Sequence, residues 1–167
     1  DADGTTNGIT YSLSDDDGGN FAINEDSGVV TLTGSLDYET ATSHDIEVTA
    51  TSEDDSTSTQ SYNIAVTDVD EFDVSAISDT DSGDDTLAEN ASSGDAVGIT
   101  ASASDADGTT NGITYSLSDD AGGKFEIGGG SGVVTLTGSL DYETATSHDI
   151  EVTATSDDTS TSTESYT

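Results

Sequence analysis

The feature that most constrains this chain is an internal repeat. Residues 1–63 align without a gap to residues 105–167, and 53 of the 63 aligned positions carry the same residue. The period of 104 residues is the size of a single β-sandwich domain. The repeat therefore predicts two domains, one over residues 1–70 and one over residues 71–167. We expect the first to lack the beginning of its repeat and the second to lack its last strand.

The charge composition limits the partners that this chain can bind. It carries 36 Asp and Glu residues against a single Lys, and its formal net charge is −35. Because phosphate binding needs Lys and Arg side chains to displace counterions, nucleic acid is not an expected partner, and neither is an anionic membrane surface. No apolar run approaches the roughly 18 residues that insertion into a membrane requires. The absence of Cys excludes disulfide bonds and thiol catalysis.

An acidic chain with few aromatic residues is often disordered, but here the apolar residues follow a regular pattern. They alternate with polar residues in Ile9–Leu13, Ile46–Ala50 and Val97–Ala103, which is the two-residue period of a half-buried strand. Further strands are predicted at Phe21–Ile23, Gly28–Leu32, Tyr62–Val66 and Phe72–Ile77, and the pattern recurs after Asp105. Clusters of Asp, Gly, Asn and Ser indicate turns. About seven short strands per period predict an all-β fold of tandem Greek-key, Ig-like β-sandwiches.

Three pairs of carboxylates lie two residues apart. They are Asp37 with Glu39, Asp68 with Asp70, and Asp105 with Asp107. In an extended chain, residues i and i+2 point the same way, about 7 Å apart at the backbone, so each pair can converge on one cation. Calcium takes six to eight oxygen ligands, and no His or Cys accompanies the pairs as a zinc site would require. The pattern predicts calcium sites; the alternative is that these acids are solvated turn residues.

The same residues carry a resemblance to cadherins. Leu36–Glu39 resembles the cadherin Leu-Asp-Arg-Glu motif, and Leu87–Asn90 resembles the Glu motif of the opening strand. Asp105–Asp107, followed by Asn111, resembles Asp-x-Asp and its downstream Asn, and Thr67–Glu71 occupies the place of Asp-x-Asn-Asp-Asn. The Thr-rich, Asp-rich and Pro-free style is similar to the cadherin-like tandem repeats of large bacterial surface adhesins, including those of the RTX type.

The resemblance implies calcium ions between successive domains. At the junction of the two repeats the implied ligands are Asp37, Glu39, Asp68, Asp70, Glu71, Asp105, Asp107 and Asn111. At the next junction downstream they are Glu89, Asp141 and Glu143, and at the junction upstream they are Asp1, Asp3 and Asn7. Four positions depart from the cadherin pattern. In the linker, Asp70 replaces an Asn, Glu71 an Asp and Phe72 the final ligating Asn. Ser156 replaces an Asp, with Asp157 one residue later as its substitute. The third ion of the cadherin junction is therefore the one with the weakest support.

The function implied by the resemblance is mechanical. Calcium would turn the string of repeats into a rigid extender of an extracellular adhesin on a bacterial cell surface, in cell adhesion or biofilm formation. The alternative is a module that itself binds polysaccharide or self-associates in calcium; a spacer in a large secreted enzyme is a third possibility. Expected partners are neighbouring repeats of the same chain and, through open strand edges, another copy. Carboxylate pairs also occur in glycosidases, but without a His or an aromatic platform an enzyme is not expected.

Three weaker signals are interpreted without a function. The acidic turn Asp15–Gly18 and the acidic loop Asp79–Asp85 are read as solvated segments. His44 and His148 lie in polar surroundings and are predicted to be exposed.

Overall fold

The computed structural model describes residues 8–167, and all its regular elements are β-strands. The contacts between residues divide the chain into unit 1 (Asp1–Val69) and unit 2 (Asp70–Thr167). All strand pairs are antiparallel, and the predicted all-β fold of sandwich-like sheets is confirmed.

Unit 1 contains two small sheets. Its strands are β1 (Ile9–Asp15), β2 (Phe21–Ile23), β3 (Val30–Leu32), β4 (Ser43–Ser52) and β5 (Thr57–Ala65). One sheet has the order β1-β4-β5, and β2 pairs with β3 in the other. The long β4–β5 ladder runs without interruption from Thr51 opposite Thr57 to Ser43 opposite Ala65. Among the described residues of unit 1, the buried apolar ones are Phe21 on β2 and Ile46 on β4.

Unit 2 has two larger sheets that enclose a core. Its strands are β6 (Ser78–Asp79), β7 (Ala96–Ser102), β8 (Ile113–Asp119), β9 (Phe125–Ile127), β10 (Val133–Leu136), β11 (Ile150–Ser156) and β12 (Thr161–Tyr166). The sheets have the orders β6-β7-β10-β9 and β12-β11-β8. Alternate residues of β10 and β11 point inward, so Val134, Leu136 and Val152 are fully buried.

The same apolar sequence is buried to different degrees in the two units. Leu136 in β10 is 0% exposed, whereas Leu32, its counterpart in β3, is 50% exposed. In unit 2, β7 pairs with β10 and covers one side of the core with Ile99 and Ala101. No strand pairs with β3 other than β2 within residues 8–69. Burial of apolar surface therefore contributes much more to the stability of unit 2 than to that of unit 1.

The predicted strand over Phe72–Ile77 is absent. This segment is anchored by hydrogen bonds outside a ladder: the Val74 N–H donates to Ser160 Oγ at 2.8 Å, and the Ser75 N–H donates to the Ser104 carbonyl at 2.7 Å. Val74 and Ile77 are buried, while Phe72 is 45% exposed. Only Ser78 and Asp79 form ladder pairs, as β6.

The burial difference predicts unequal effects of the same substitution. Leu136→Ala removes a fully buried side chain, so we expect a loss of about 2–5 kcal/mol in the free energy of unfolding of unit 2. Leu32→Ala, the matched substitution at an exposed site, should cost less than about 1 kcal/mol. Urea unfolding followed by hydrogen exchange of each unit, at a fixed calcium concentration, measures both. Equal losses would contradict this account of the core.

Candidate metal centres

The loop between β7 and β8 holds the most deeply buried carboxylate. Asp107 is 1% exposed. Its backbone N–H donates to Asp105 Oδ1 at 3.1 Å, which closes a turn of the kind that the Asp-x-Asp spacing allows. The Asn111 side-chain amide donates to the Asp107 carbonyl at 2.7 Å and braces the other side of the loop. The predicted Asp105, Asp107 and Asn111 are thus parts of one local structure.

Two oxygens of this loop are buried without a hydrogen-bond donor. The Glu71 N–H donates to Asp107 Oδ1 at 3.1 Å, but Asp107 Oδ2 and Asp105 Oδ2 have no hydrogen-bond partner within the described residues. A buried carboxylate oxygen without a donor or a cation is costly, since it has lost its hydration and gained nothing in return. Two buried carboxylate oxygens without donors are the ligand type that a hard cation such as calcium prefers, so this loop fits a calcium site.

Asp70, Asp107 and Asp158 form the first acidic cluster of unit 2. Each offers an oxygen within 4.8 Å of the others. Two ligands of one calcium ion can be about 4.6–5.2 Å apart at most, because each lies about 2.3–2.6 Å from the ion. The spacing therefore suits one shared ion. Without a cation, burial and the neighbouring carboxylate of Asp107 raise the pKa of Asp70, and the charges of Asp158 and Asp105 add to the rise.

Sequence reasoning missed Asp158 and named Asp157 instead. In the turn between β11 and β12 the Ser160 N–H donates to Asp158 Oδ1 at 2.7 Å, and Thr159 has a φ of 79°. This turn directs Asp158 toward Asp70, while Asp157 is exposed and lies beside Gly112, outside the acidic clusters found within residues 8–167. The internal repeat could have indicated Asp158, because the equivalent residue in the first copy, Asp54, is also an Asp.

In unit 1 the described ligand candidates are Asp37, Glu39 and Asp68. Carboxylate oxygens of Glu39 and Asp68 lie within 4.8 Å of each other. Asp37 holds the adjacent turn, because the Thr40 N–H donates to Oδ1 at 3.1 Å and the Thr40 hydroxyl donates to Oδ2 at 3.0 Å. The hydrogen bond from the Thr40 hydroxyl, followed by that from its backbone N–H, lowers the pKa of Asp37, so this carboxylate stays charged.

A second acidic cluster in unit 2 comprises Glu89, Asp141 and Glu143. The three offer oxygens within 4.8 Å of one another, and all three residues are exposed. The Tyr142 N–H donates to Glu89 Oε2 at 3.0 Å, which holds the two segments together. The Thr144 hydroxyl donates to Asp141 Oδ2 at 2.8 Å, as Thr40 does in the first copy. The remaining predicted ligands, Asp1, Asp3 and Asn7, lie outside the described residues.

The prediction that both histidines are exposed is wrong. His44 packs edge-on against Phe21 with ring centroids 6.2 Å apart, and His148 packs in the same way against Phe125 at 6.1 Å. His44 Nδ1 also contacts Asp17 Oδ2 at 2.6 Å. The polar sequence around each His does not reveal that its ring packs against a Phe; His44 lies on β4, whereas His148 precedes β11.

The comparisons with known proteins identify the family. The family model described as Cadherin domain matches residues 1–67 and 86–167. Mouse Protocadherin Fat 4 is 37% identical over 157 residues, which is 92% of this chain and 3% of that protein. The crystal structure of mouse Cadherin-23 EC22-24 shares 26% identity with a TM-score of 0.69, over 95% of this chain and 51% of that one. The crystal structure of Drosophila N-cadherin EC1-4 shares 25% identity with a TM-score of 0.71, over 95% and 40%.

The chain therefore belongs to the cadherin domain family. Cadherin domains are extracellular adhesion modules that occur in tandem and bind calcium, and they are not enzymes, so the predicted cadherin-like fold and the absence of an enzymatic function are confirmed. The chain spans about 3% of the length of the curated relatives that it matches. No helix within residues 8–167 is long and apolar enough to cross a membrane.

The crowding around Asp70 predicts how stability depends on pH without calcium. A raised pKa means that the folded state favours the protonated carboxyl, so this group contributes stability at pH below its ordinary value of 3.8 and loses it as the pH rises. In a chelator at pH 7, Asp70→Asn should therefore raise the melting temperature, and the gain should shrink as the pH falls toward about 4.

The matched control is Asp157→Asn, which removes one exposed carboxylate outside the cluster. Both variants remove one negative charge, so a rise in melting temperature confined to Asp70→Asn would locate the repulsion in the cluster. Equal shifts in the two melting temperatures would contradict this explanation.

Proposed function

We propose that this chain is a calcium-rigidified extender of a bacterial cell-surface adhesin. The observation that carries the proposal is the buried Asp107, whose Oδ2 has no donor among the described residues. Asp70 and Asp158 each offer an oxygen within 4.8 Å of an oxygen of Asp107, a spacing that one calcium ion can span. An ion there cancels the mutual repulsion of the carboxylates and ties residue 70, at the start of unit 2, to the loop and turn of the same unit. An ordered connecting segment is what a rigid string of domains requires.

We infer that calcium is held at the junction between the two repeats. Its ligands would be Asp37, Glu39 and Asp68 from the first repeat, Asp70 and Glu71 from the connecting segment, and Asp107 from the second repeat. Asp105 and Asn111 complete this ligand set. The pair Glu39 and Asp68 supports the inference, since two carboxylates whose oxygens lie within 4.8 Å repel each other unless a cation lies between them. The Glu89, Asp141 and Glu143 cluster would serve the next junction in the same way.

The bacterial surface is proposed from composition and repetition. The chain has no Pro and no Cys, and its two copies are almost identical. Near-identical, Thr-rich and Asp-rich repeats suit a spacer whose length depends on the number of units, with adhesion carried elsewhere in the protein. A formal net charge of −35 keeps neighbouring rods apart except where calcium bridges them.

Calcium removal is expected to make the chain less extended. Small-angle scattering in millimolar calcium should give a larger and better defined maximum dimension than in a chelator. Thermal melting should show a stabilisation of about 2.7 kcal/mol when calcium is a hundredfold above its dissociation constant. An unchanged maximum dimension and melting temperature would overturn the proposal.

A variant with a matched control assigns the effect to the buried carboxylate. Asp107→Asn should lower the number of calcium ions bound per chain in calorimetry, since it replaces a charged ligand at the centre of the cluster. Asp157→Asn should leave the number unchanged. Loss of binding in both variants would show that bulk charge, and not the cluster, holds the ions.

The second candidate function is a module that itself binds polysaccharide. Exposed aromatic side chains favour it: Tyr62 is 53% exposed and Tyr142 is 64% exposed, and an exposed aromatic ring can stack on a sugar. A glycan array with the wild-type chain and with Tyr142→Ser would decide, because calcium-dependent binding that is lost in the variant would favour this candidate over the extender.

A further inference from the structure

The loop that precedes β8 ends in an Asn-Gly sequence, Asn111 followed by Gly112. Asn111 is exposed, and its side-chain amide donates to the Asp107 carbonyl at 2.7 Å. The Gly112 N–H donates no hydrogen bond to any of the described residues. An exposed side-chain amide therefore lies next to a backbone nitrogen that no other group in the described part of the chain engages.

Packing, and not backbone conformation, favours glycine at position 112. Gly112 does not have a positive φ, so its backbone is one that any residue can adopt. A Cβ at this position would lie 2.9 Å from Asp157 Cγ and would have to displace the carboxylate. The first copy repeats the arrangement with a different acid, because a Cβ at Gly8 would lie 2.9 Å from Glu53 Cδ. The glycine after the Asn is thus tied to a carboxylate that packs on it.

We propose that Asn111 is a deamidation site, at which the loop is modified slowly and irreversibly. The Gly112 nitrogen attacks the side-chain carbonyl carbon of Asn111 and closes a succinimide ring. The proton of the Gly112 nitrogen passes through water to the side-chain nitrogen, which leaves as ammonia. Water then opens the ring at either carbonyl and gives an aspartyl or an isoaspartyl residue. The net reaction consumes water and releases ammonia, with no oxidation or reduction.

Glycine favours ring closure, because it has no Cβ to hinder its nitrogen and has the backbone freedom that the ring requires. The other asparagines within residues 8–167 are each followed by a residue with a side chain; they are Asn20, Asn24, Asn63 and Asn90. Asn90 is the best internal standard for Asn111. It is also exposed, and the next residue, Ala91, differs from glycine by one methyl group.

Deamidation changes the contact that braces the calcium loop. The Asn111 amide donates to the Asp107 carbonyl, whereas a carboxylate at neutral pH has no proton to donate. Both products therefore place an acceptor opposite an acceptor, and the isoaspartyl product also lengthens the main chain by one methylene group. The reaction thus weakens the loop that carries the buried carboxylate of Asp107.

Calcium is expected to protect Asn111; this step rests on the proposed function. The atom that the Asp107 carbonyl holds is the same nitrogen that must leave in the reaction. An ion bound to the Asp107 carboxylate would hold the loop and keep this hydrogen bond. Without the ion, the buried Asp105 and Asp107 oxygens that have no partner among the described residues favour opening of the loop to water. The loop would then record calcium loss as a permanent chemical change.

The test incubates the full chain at neutral pH and physiological temperature, in calcium or in a chelator, and follows each Asn by mass spectrometry. Cleavage after glutamate at mildly acidic pH places Asn90 and Asn111 in residues 90–126, separate from the Asn-Gly sequence at Asn7. In the chelator we expect Asn111 to convert at least about tenfold faster than Asn90. Calcium should slow the conversion of Asn111 at least about fivefold, which is the effect of one retained hydrogen bond.

Two variants separate the reaction from the fold. Gly112→Ala combined with Asp157→Ser adds the Cβ and removes the carboxylate that it would displace, so Asn111 should convert no faster than Asn90. Asp157→Ser alone keeps the Asn-Gly sequence and should convert at the wild-type rate. Melting temperatures in calcium verify that both variants fold, and the comparison of Asn111 with Asn90 in the wild-type chain needs no variant.

Each outcome supports or overturns one claim. If Asn111 converts faster than Asn90 at the same rate with and without calcium, the modification site stands and the protection by calcium is overturned. If Asn111 converts no faster than Asn90 in the chelator while calorimetry shows calcium binding, the modification site is overturned and the proposed function stands. If calorimetry shows no calcium binding and Asn111 still converts faster, the proposed function fails and the modification site stands.

Discussion

The rest of this structure depends on how carboxylates are accommodated in a chain with a formal net charge of −35. Most of them lie at the surface, where water screens them. Asp107 is the exception, since it is almost fully buried with one oxygen that lacks a hydrogen-bond donor. The loop around it is braced by Asn111 and by the backbone of Glu71, so the carboxylate cannot simply turn toward water. The calcium ion that we propose there would resolve this conflict and would order the first residues of unit 2.

The residues that the two units share by repetition are buried to different degrees. Identical Leu residues are fully buried in β10 and half exposed in β3. The difference comes from β7, which pairs with β10 and has no described counterpart beside β3. A side chain that looks like core in the sequence becomes core only when a neighbouring strand covers it.

The ligand candidates show where local sequence and local geometry agree. Asp105 and Asp107 are two residues apart in a tight loop, and their spacing alone brings them together. Glu89 and Asp141 are far apart in the sequence, and it was the resemblance to cadherins that connected them. Asp158 escaped both arguments, because the turn between β11 and β12, in which the Ser160 N–H donates to Asp158 Oδ1, brings Asp158 and not Asp157 into the cluster with Asp70.

The sequence by itself determined the all-β fold, through the two-residue alternation of apolar side chains, and the repeat, through direct identity between its copies. It also determined the cadherin family and most of the acidic residues that cluster. Only the tertiary structure decided that Phe72–Ile77 is held by hydrogen bonds that it donates to Ser104 and Ser160 instead of by a ladder, and that the histidines pack against Phe rings. These features depend on partners that are distant in sequence, and alternation records which face a residue takes but not what covers that face.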